Sequence, residues 1–163
     1  MSYSTIEAAV LATLRAYSGD AATFSSLNSS RGDYTVKDNV SSEPAAVVRQ
    51  GGRSVYADSL ADPRRQAHGK RQERHSILID LFVPRRDGQG GDSVAYVACA
   101  DLTDALIGHF NARPTLGGAC TRCQVVAVEP PLFLEKLPHI AQRIVLSVDA
   151  ETAIALASGE ELR

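Results

Sequence analysis

The feature that most constrains the fold is the run Ser-Ile-Leu-Ile-Asp-Leu-Phe-Val at residues 76–83, which Pro84 ends. Its apolar side chains are nearly continuous, so they do not alternate between a core face and a solvent face. The run therefore predicts a strand in the interior of a sheet. The run is also far shorter than the roughly 20 residues that a membrane span needs, and we expect no membrane partner.

Two stretches carry the period of an amphipathic helix. Residues 4–17 repeat apolar side chains at spacings of four, four and three from Ile6 to Tyr17, which places them on one face. Residues 92–111 contain a second apolar stripe, which runs from Val94 to Phe110 and includes Val97. We expect both stretches to be helices that lie against the sheet.

Further strands are predicted at residues 44–50, 122–129 and 142–149. The order of helix, strands, helix and strands is typical of an α+β protein. A chain of 163 residues is close to the common size of one domain. We therefore predict a single α+β domain with a mixed or antiparallel sheet of about four strands and two main helices packed on one face.

Three segments fall outside this pattern. The domain at residues 1–150 contains a long polar excursion at 20–42, with one short strand expected at 34–37, and a basic loop at 62–75. Residues 151–163 are expected to form a C-terminal tail with a short helical turn before an acidic end. Polar segments of this length are candidates for ordering against a partner.

The composition excludes several classes of protein. A formal net charge of −2 and a pI near 6.1 argue against a dedicated nucleic-acid binder, which is usually strongly basic. The N-terminus has no signal-peptide pattern, and three cysteines do not make a disulfide framework. We expect a protein that matures in a reducing cytoplasm.

The residue types that serve in catalysis or metal binding do not form a recognisable site. Cys120 and Cys123 have the spacing of half a zinc site or a redox pair, but Cys99, His109 and His139 supply no second ligand pair at the required spacing. Of two aspartates one helical turn apart, Asp101 and Asp104, we expect the second to be solvated and the first to lie nearer the apolar stripe. No G-x-S-x-G motif frames a nucleophile. We therefore expect no metal, no cofactor and no catalytic residue, with a small hydrolase or metal enzyme ranked last.

A basic run is the strongest candidate for interaction with a partner. It places five basic side chains against the single acidic Glu73 and ends at a histidine. Such a run can contact the phosphates of DNA, order against acidic residues of a neighbouring subunit, or face a channel through which DNA passes. Because the run has no aromatic side chain for base stacking and the whole chain is acidic, we favour a solvated loop, ordered where a neighbouring subunit supplies acidic residues, over a contact with DNA. The candidate interaction residues are Arg64, Arg65, Lys70, Arg71, Arg74 and His75.

Several elements occur together in an order shared with a known family. An aliphatic strand at residues 76–81 follows His75, a glycine-rich loop and a helix at 98–110 come next, and the sequence Arg-Pro-Thr-Leu-Gly-Gly stands at 113–118. In these features the chain resembles phage tail terminator proteins, also called tail completion or minor tail proteins. The opening helix at 5–17 also lies where these proteins place one, and the long excursion at 20–42 departs from their pattern.

The resemblance implies a structural protein with no catalytic residues. Such a subunit is expected to assemble in the cytoplasm of the bacterial host into a hexameric ring of the virion. The ring would cap the tail tube, end its polymerisation and dock to the connector or neck in head-tail joining, and DNA would pass through its lumen. We expect self-association through sheet edges and the basic run. The alternatives are another neck component, such as an adaptor or stopper, and a nucleic-acid-binding module that uses residues 64–74.

Overall fold

The central element of the fold is the strand that contains the apolar run. A computed structural model describes residues 3–32, 43–59, 68–85, 91–134 and 139–155. In it, β3 (His68–Pro84) lies between β2 (Ala45–Ser59) and β6 (His139–Ala155) and is antiparallel to both. The prediction of an interior strand is confirmed, because β3 has a hydrogen-bonded neighbour on each side.

Three shorter strands complete a six-stranded mixed sheet. Strand β1 (Ser29–Arg31) runs parallel to β2, and β4 (Arg122–Val128) runs antiparallel to β6 on the other side of the sheet. Strand β5 (Leu132–Phe133) also pairs with the first part of β6. The α+β class and the single domain are confirmed, and the sheet has six strands where about four were expected.

Two helices, α1 (Tyr3–Arg15) and α2 (Gly91–Asn111), lie on one face of this sheet, as predicted. Side chains of odd number in β3 and even number in β6 face the helices, because alternate residues of a strand point to opposite faces. The core joins these strand residues to the apolar faces of both helices. Its large members are Ile6, Val10, Leu14, Ile77, Ile79, Leu81, Leu102, Leu106, Phe110, Ile144 and Leu146.

The central strands extend further than the sequence indicated. The expected basic loop at 62–75 is wrong from His68 onward, because this part of the chain is already β3. The expected helical turn after residue 151 is also wrong, because β6 continues to Ala155 and pairs there with β3. The first part of β3 contains charged side chains, so the sequence shows no apolar pattern there. The backbone hydrogen bonds between β3 and β6 hold this part of the chain in the sheet.

The polar excursion at 20–42 is partly built into the domain. Ala22 and Phe24 are buried against the core, and the amide of Asn28 donates to the carbonyls of Thr23 and Pro44. These contacts fix the position of the chain just before β1 begins at Ser29. The strand expected at 34–37 lies outside the described residues. Neither helix of the described part is long and apolar enough to cross a membrane.

Candidate interaction surfaces

The basic run does not form one continuous surface. Arg64 and Arg65 lie outside the described residues, while Lys70, Arg71 and Arg74 all fall in β3. Residues three apart in a regular strand point to opposite faces, so Arg71 and Arg74 do not act on the same partner surface. The guanidinium of Arg74 already pairs with Asp149 of β6, with Nε to Oδ1 at 2.8 Å. Part of the run therefore fastens two strands of the subunit together.

His75 is buried, although it was a candidate for interaction with a partner. Its Nε2 lies 3.1 Å from Oε2 of the buried Glu73, and Tyr3 meets its ring edge-on with 4.6 Å between centroids. Arg53 lies over the Tyr3 ring and 3.9 Å from Glu73. Burial lowers the pKa of His75, and the Glu73 carboxylate acts in the opposite direction. The residue is therefore part of the structure beneath α1 and is closed to direct contact with a partner.

A cluster of charges that the sequence analysis did not identify lies on the sheet face opposite the helices. Asp80 is almost fully buried, where it accepts hydrogen bonds from Arg143 of one neighbouring strand and forms an ion pair with Arg49 of the other. Arg143 donates from Nε to Oδ1 at 2.7 Å, and Arg49 places Nη2 2.8 Å from Oδ2. The hydrogen bond to Asp80 raises the pKa of Arg143. In the sequence, the feature that could have indicated this cluster is Asp80, the one charged residue inside the apolar run.

A cavity of about 280 Å³ opens beside these charges and is called the arginine pocket below. Among the described residues, Nε of Arg49 has no hydrogen-bond partner although the atom is buried. Nη1 of Arg143 approaches Glu129 only to 3.8 Å, which is beyond hydrogen-bond distance. Phe82, Pro130 and Leu132 supply apolar walls. The pocket thus combines two arginines, the carboxylates of Asp80 and Glu129 and an apolar rim.

The cysteines are buried and unpaired. Burial raises the pKa of Cys120 to about 11 and that of Cys123 to about 12. Cys99 lies on α2, where its thiol contacts the side-chain oxygen of Gln142. A thiol with a raised pKa is a poor nucleophile. Within the described ranges, no group of His, Cys, Asp and Glu side chains is arranged to hold a metal ion.

The remaining polar candidates do not converge on a site. His109 packs between the helices, where Nε2 lies 2.6 Å from the carbonyl oxygen of Thr13. His139 is buried at the start of β6, and burial lowers its pKa. Asp104 is exposed as predicted, and Asp101 is also exposed instead of lying near the apolar stripe.

Large apolar side chains are exposed on both sides of the sheet. On the helix side, Val94, Tyr96 and Val97 of α2 are 56%, 49% and 53% exposed. The prediction that Val94 and Val97 belong to a buried stripe is wrong, because the buried face of α2 runs through Ala95, Cys99 and Leu102 and leaves the two valines beside it. On the opposite face, Val126 is 51% and Leu132 is 64% exposed. Apolar side chains exposed side by side, as Val94 and Val97 are one helical turn apart, are a mark of contact with another molecule.

The free sheet edges are less suited to contact than these faces. Along β2 beyond Val48 and along β4 beyond Cys123, the outer edge has no strand partner in the part of the chain that the structure describes. Both strands carry bulges there, one of them at Gly51, where an added Cβ would lie 2.8 Å from Oγ of Ser76. Bulges interrupt the ladder and protect an edge from continuous pairing.

No protein-family model matches this chain. No curated protein matches its sequence either. Among solved structures, the chain is similar to one from a structure titled "Virion of native gene transfer agent (GTA) particle", with 19% sequence identity and a TM-score of 0.48. That similarity covers 93% of this chain and 100% of the other.

Proposed function

We propose that this chain is a structural subunit of a phage tail that closes into a hexameric ring and ends the tail tube. In this role it is a tail terminator and not an enzyme, and it belongs to the virion after assembly in the host cytoplasm. Its partners are other copies of itself, the tail tube protein and a connector or neck protein. DNA passes through the lumen of the ring.

The observation that carries the proposal is the exposure of apolar side chains on two opposite sides of one subunit. A closed ring needs one surface that meets a different surface on the next copy. Val94 and Val97 supply the first surface on the helix side, and Val126 supplies the second on the open face of the sheet. Two unlike surfaces on opposite sides of a subunit are the arrangement that a head-to-tail ring requires.

Two features of the sheet support side-chain contacts over continuous strand pairing between copies. Bulges interrupt both free edges, at Gly51 and at Val126. A cavity of about 480 Å³ on the open face is lined by Val126 together with Arg53, Arg74, Gln124 and small polar side chains such as Ser76. A surface of this shape receives an apolar side chain from a neighbour at its rim, where Val126 already lies.

The order of elements is also the one that the sequence resemblance implied. Helix α1, the aliphatic β3, helix α2 and the closing strands β4 and β6 follow one another as expected, with the short β5 between the last two. The segment at residues 113–118 forms the turn between α2 and β4. In this turn Leu116 is buried and Gly117 and Gly118 have positive φ. Glycine favours the conformation of this turn.

Tube assembly in the presence of the chain tests this function. Purified tail tube protein is polymerised with increasing amounts of the chain, and tube lengths are measured by negative-stain electron microscopy. With the wild-type chain we expect shorter tubes with a ring at one end. With the Val94→Asp/Val97→Asp variant we expect the same tube lengths as without any added chain. Asp104→Asn is the matched control, because Asp104 is exposed on α2. Tubes of unchanged length with the wild-type chain would contradict the proposal.

A further inference from the structure

The most exposed large apolar side chain among the described residues is Leu27, which is 86% exposed. It lies in a tight turn at residues 25–28, just before β1, and this segment is called the Leu27 turn below. The side-chain oxygen of Asn28 accepts a hydrogen bond from the amide of Ser25 at 2.7 Å, and its side-chain nitrogen donates to two backbone carbonyls. Because the turn is already fixed, little conformational entropy is lost when Leu27 packs against another molecule.

The arginine pocket suits an apolar side chain better than a charged one. Asp80 pairs with both arginines, and Glu129 lies 3.8 Å from Arg143, so the charges of the pocket balance within the subunit. Its apolar walls include Pro130 and Leu132, and Leu132 is 64% exposed. An apolar side chain that covers these walls removes apolar surface from water without separating an ion pair.

The Leu27 turn and the pocket lie toward opposite edges of the sheet. Leu27 precedes β1, and Leu132 belongs to β5, which pairs with β6. In the strand order β1-β2-β3-β6, four interstrand spacings, or about 19 Å, separate β1 from β5. The fixed turn of one copy therefore does not reach its own pocket, whereas two copies arranged head to tail bring a turn and a pocket together.

The Leu27 turn also continues the helix-side surface of the proposed ring. Pro44 and Val94 line one cavity of about 190 Å³, and the carbonyl of Pro44 accepts a hydrogen bond from the side chain of Asn28. The exposed Leu27 and Val94 therefore lie near each other, while Leu132 lies on the open face of the sheet. The two contacts belong to the same pair of unlike surfaces.

Charge complementarity favours a second copy as the occupant of the pocket. Arg31, at the end of β1, is exposed, and its Nη1 donates to the carbonyl and hydroxyl oxygens of Ser4. No ion pair joins Arg31 to a carboxylate of the described residues. At the rim of the pocket, the side chain of Glu129 is 53% exposed and lies beyond hydrogen-bond distance of Arg143. An exposed arginine thus accompanies the turn, and an exposed carboxylate accompanies the pocket.

The spacing of these groups allows both contacts at once. Arg31 follows Leu27 by four residues, which is about 13 Å in an extended chain. Glu129 and Leu132 lie opposite residues of β6 that are two apart, or about 7 Å. The length of an arginine side chain covers the difference, so the apolar contact and the ion pair can form between the same two copies.

We infer that the Leu27 turn of one copy docks on the apolar wall of the arginine pocket of the next copy. Leu27 packs against Pro130 and Leu132, and Arg31 pairs with Glu129. Each copy gives a turn at one edge of its sheet and receives a turn near the other. This inference rests on the proposed function, since it names the contact that fastens neighbouring subunits of the ring.

Cysteine cross-linking tests the contact directly. Ser26→Cys, which leaves Leu27 in place, is combined with Leu132→Cys in the full chain, which is treated with a short bismaleimide and separated on a denaturing gel. The native cysteines give little background because all three are buried. We expect a ladder of covalent oligomers, and a mixture of the two single variants should give a dimer that neither forms alone. In the matched control Asp104→Cys, exposed on α2, replaces Leu132→Cys and should give no ladder.

A substitution of the exposed leucine measures how much the contact contributes. We expect Leu27→Asp to weaken subunit association at least about tenfold, because the apolar side chain is lost and a charge is placed against the apolar wall. Its chemical denaturation curve should superimpose on that of the wild type, since Leu27 packs little within its own subunit. Ser26→Asp adds the same charge to the turn, keeps Leu27 and should associate more tightly than Leu27→Asp. Equal association of Leu27→Asp and the wild type would contradict the inference.

A charge exchange tests the ion pair. Arg31→Glu and Glu129→Lys should each weaken association, and the double variant should associate more tightly than either single variant, because the pair is restored with its signs reversed. Additive losses in the double variant would overturn the pairing of Arg31 with Glu129.

The outcomes separate this inference from the proposed function. Rings without a ladder would overturn the turn contact and leave the ring role standing. A ladder from a chain that neither forms rings nor binds tube ends would support the contact and overturn the ring role. Cross-linking of the Ser26→Cys variant to a tail tube protein that carries a cysteine, in place of a second copy, would overturn the inference in favour of a different partner.

Discussion

His109 of α2 donates a hydrogen bond from Nε2 to the carbonyl oxygen of Thr13 near the end of α1, at 2.6 Å. The tautomer follows from the other ring nitrogen, because Nδ1 lies 3.0 Å from Nη1 of Arg113 and arginine can only donate. The ring also meets Tyr17 edge-on. One side chain thus joins the two helices above the sheet.

Replacing this side chain should loosen the helix layer. We expect His109→Ala to lower the free energy of unfolding by about 2 kcal/mol, because a hydrogen bond and the contact with Tyr17 are lost together. Chemical denaturation measures the change, with Asn111→Ala at the exposed end of α2 as the control. Equal unfolding free energies of the two variants would show that the hydrogen bond between His109 and Thr13 does not stabilise the fold.

The buried carboxylate of the arginine pocket should matter more than an exposed one. In Asp80→Asn, two guanidiniums face an uncharged amide, and we expect a loss of about 2–3 kcal/mol in unfolding free energy. This figure is below that for a fully buried pair, because both arginines are more than a third exposed. Asp104→Asn should change stability by less than about 0.5 kcal/mol. Denaturation curves in which both variants lose the same amount would refute this account of the pocket.

Acid should destabilise the fold through its buried histidines. Burial lowers the folded-state pKa of His75 and of His139 below the ordinary value of 6.5. The unfolded chain therefore binds more protons near that pH, so the stabilisation is complete above pH 6.5 and is lost as pH falls through the folded-state values. Unfolding free energies measured between pH 7.5 and 5 should decline with falling pH.

The His75→Gln/His139→Gln variant should show a flatter pH profile over the same range. A slope equal to that of the wild type would assign the decline to other groups. Exposed carboxylates titrate mainly below this range, which keeps the comparison clear.

The buried thiols should be inert in the folded protein. With a pKa of about 11, Cys120 is only about 0.1% thiolate at pH 8, and Cys123 is less ionised still. We expect no reaction of the native chain with a chromogenic disulfide reagent over minutes, and reaction of all three cysteines in denaturant. Rapid native labelling, or zinc retained through dialysis, would instead favour the redox or metal alternative.

The sequence was sufficient for the framework and insufficient for the surfaces. Periodicity identified both helices, and a nearly continuous apolar run identified the interior strand, because burial leaves a direct pattern of apolar residues. It could not reveal that β3 begins at His68, since ladder pairing with β6 holds charged residues in a strand whatever their side chains. The pocket between Arg49 and Arg143 was equally hidden, because the two residues are 94 positions apart and meet only through the register of the sheet.

The mass of the purified chain in solution tests the ring most directly. Light scattering across a range of concentrations, with and without tail tube protein, distinguishes a subunit of 17.4 kDa from a closed assembly. The account predicts a particle of six subunits, either in the chain alone or on the ends of tubes. A monomer that neither self-associates nor binds tube protein at any concentration would contradict the proposed ring.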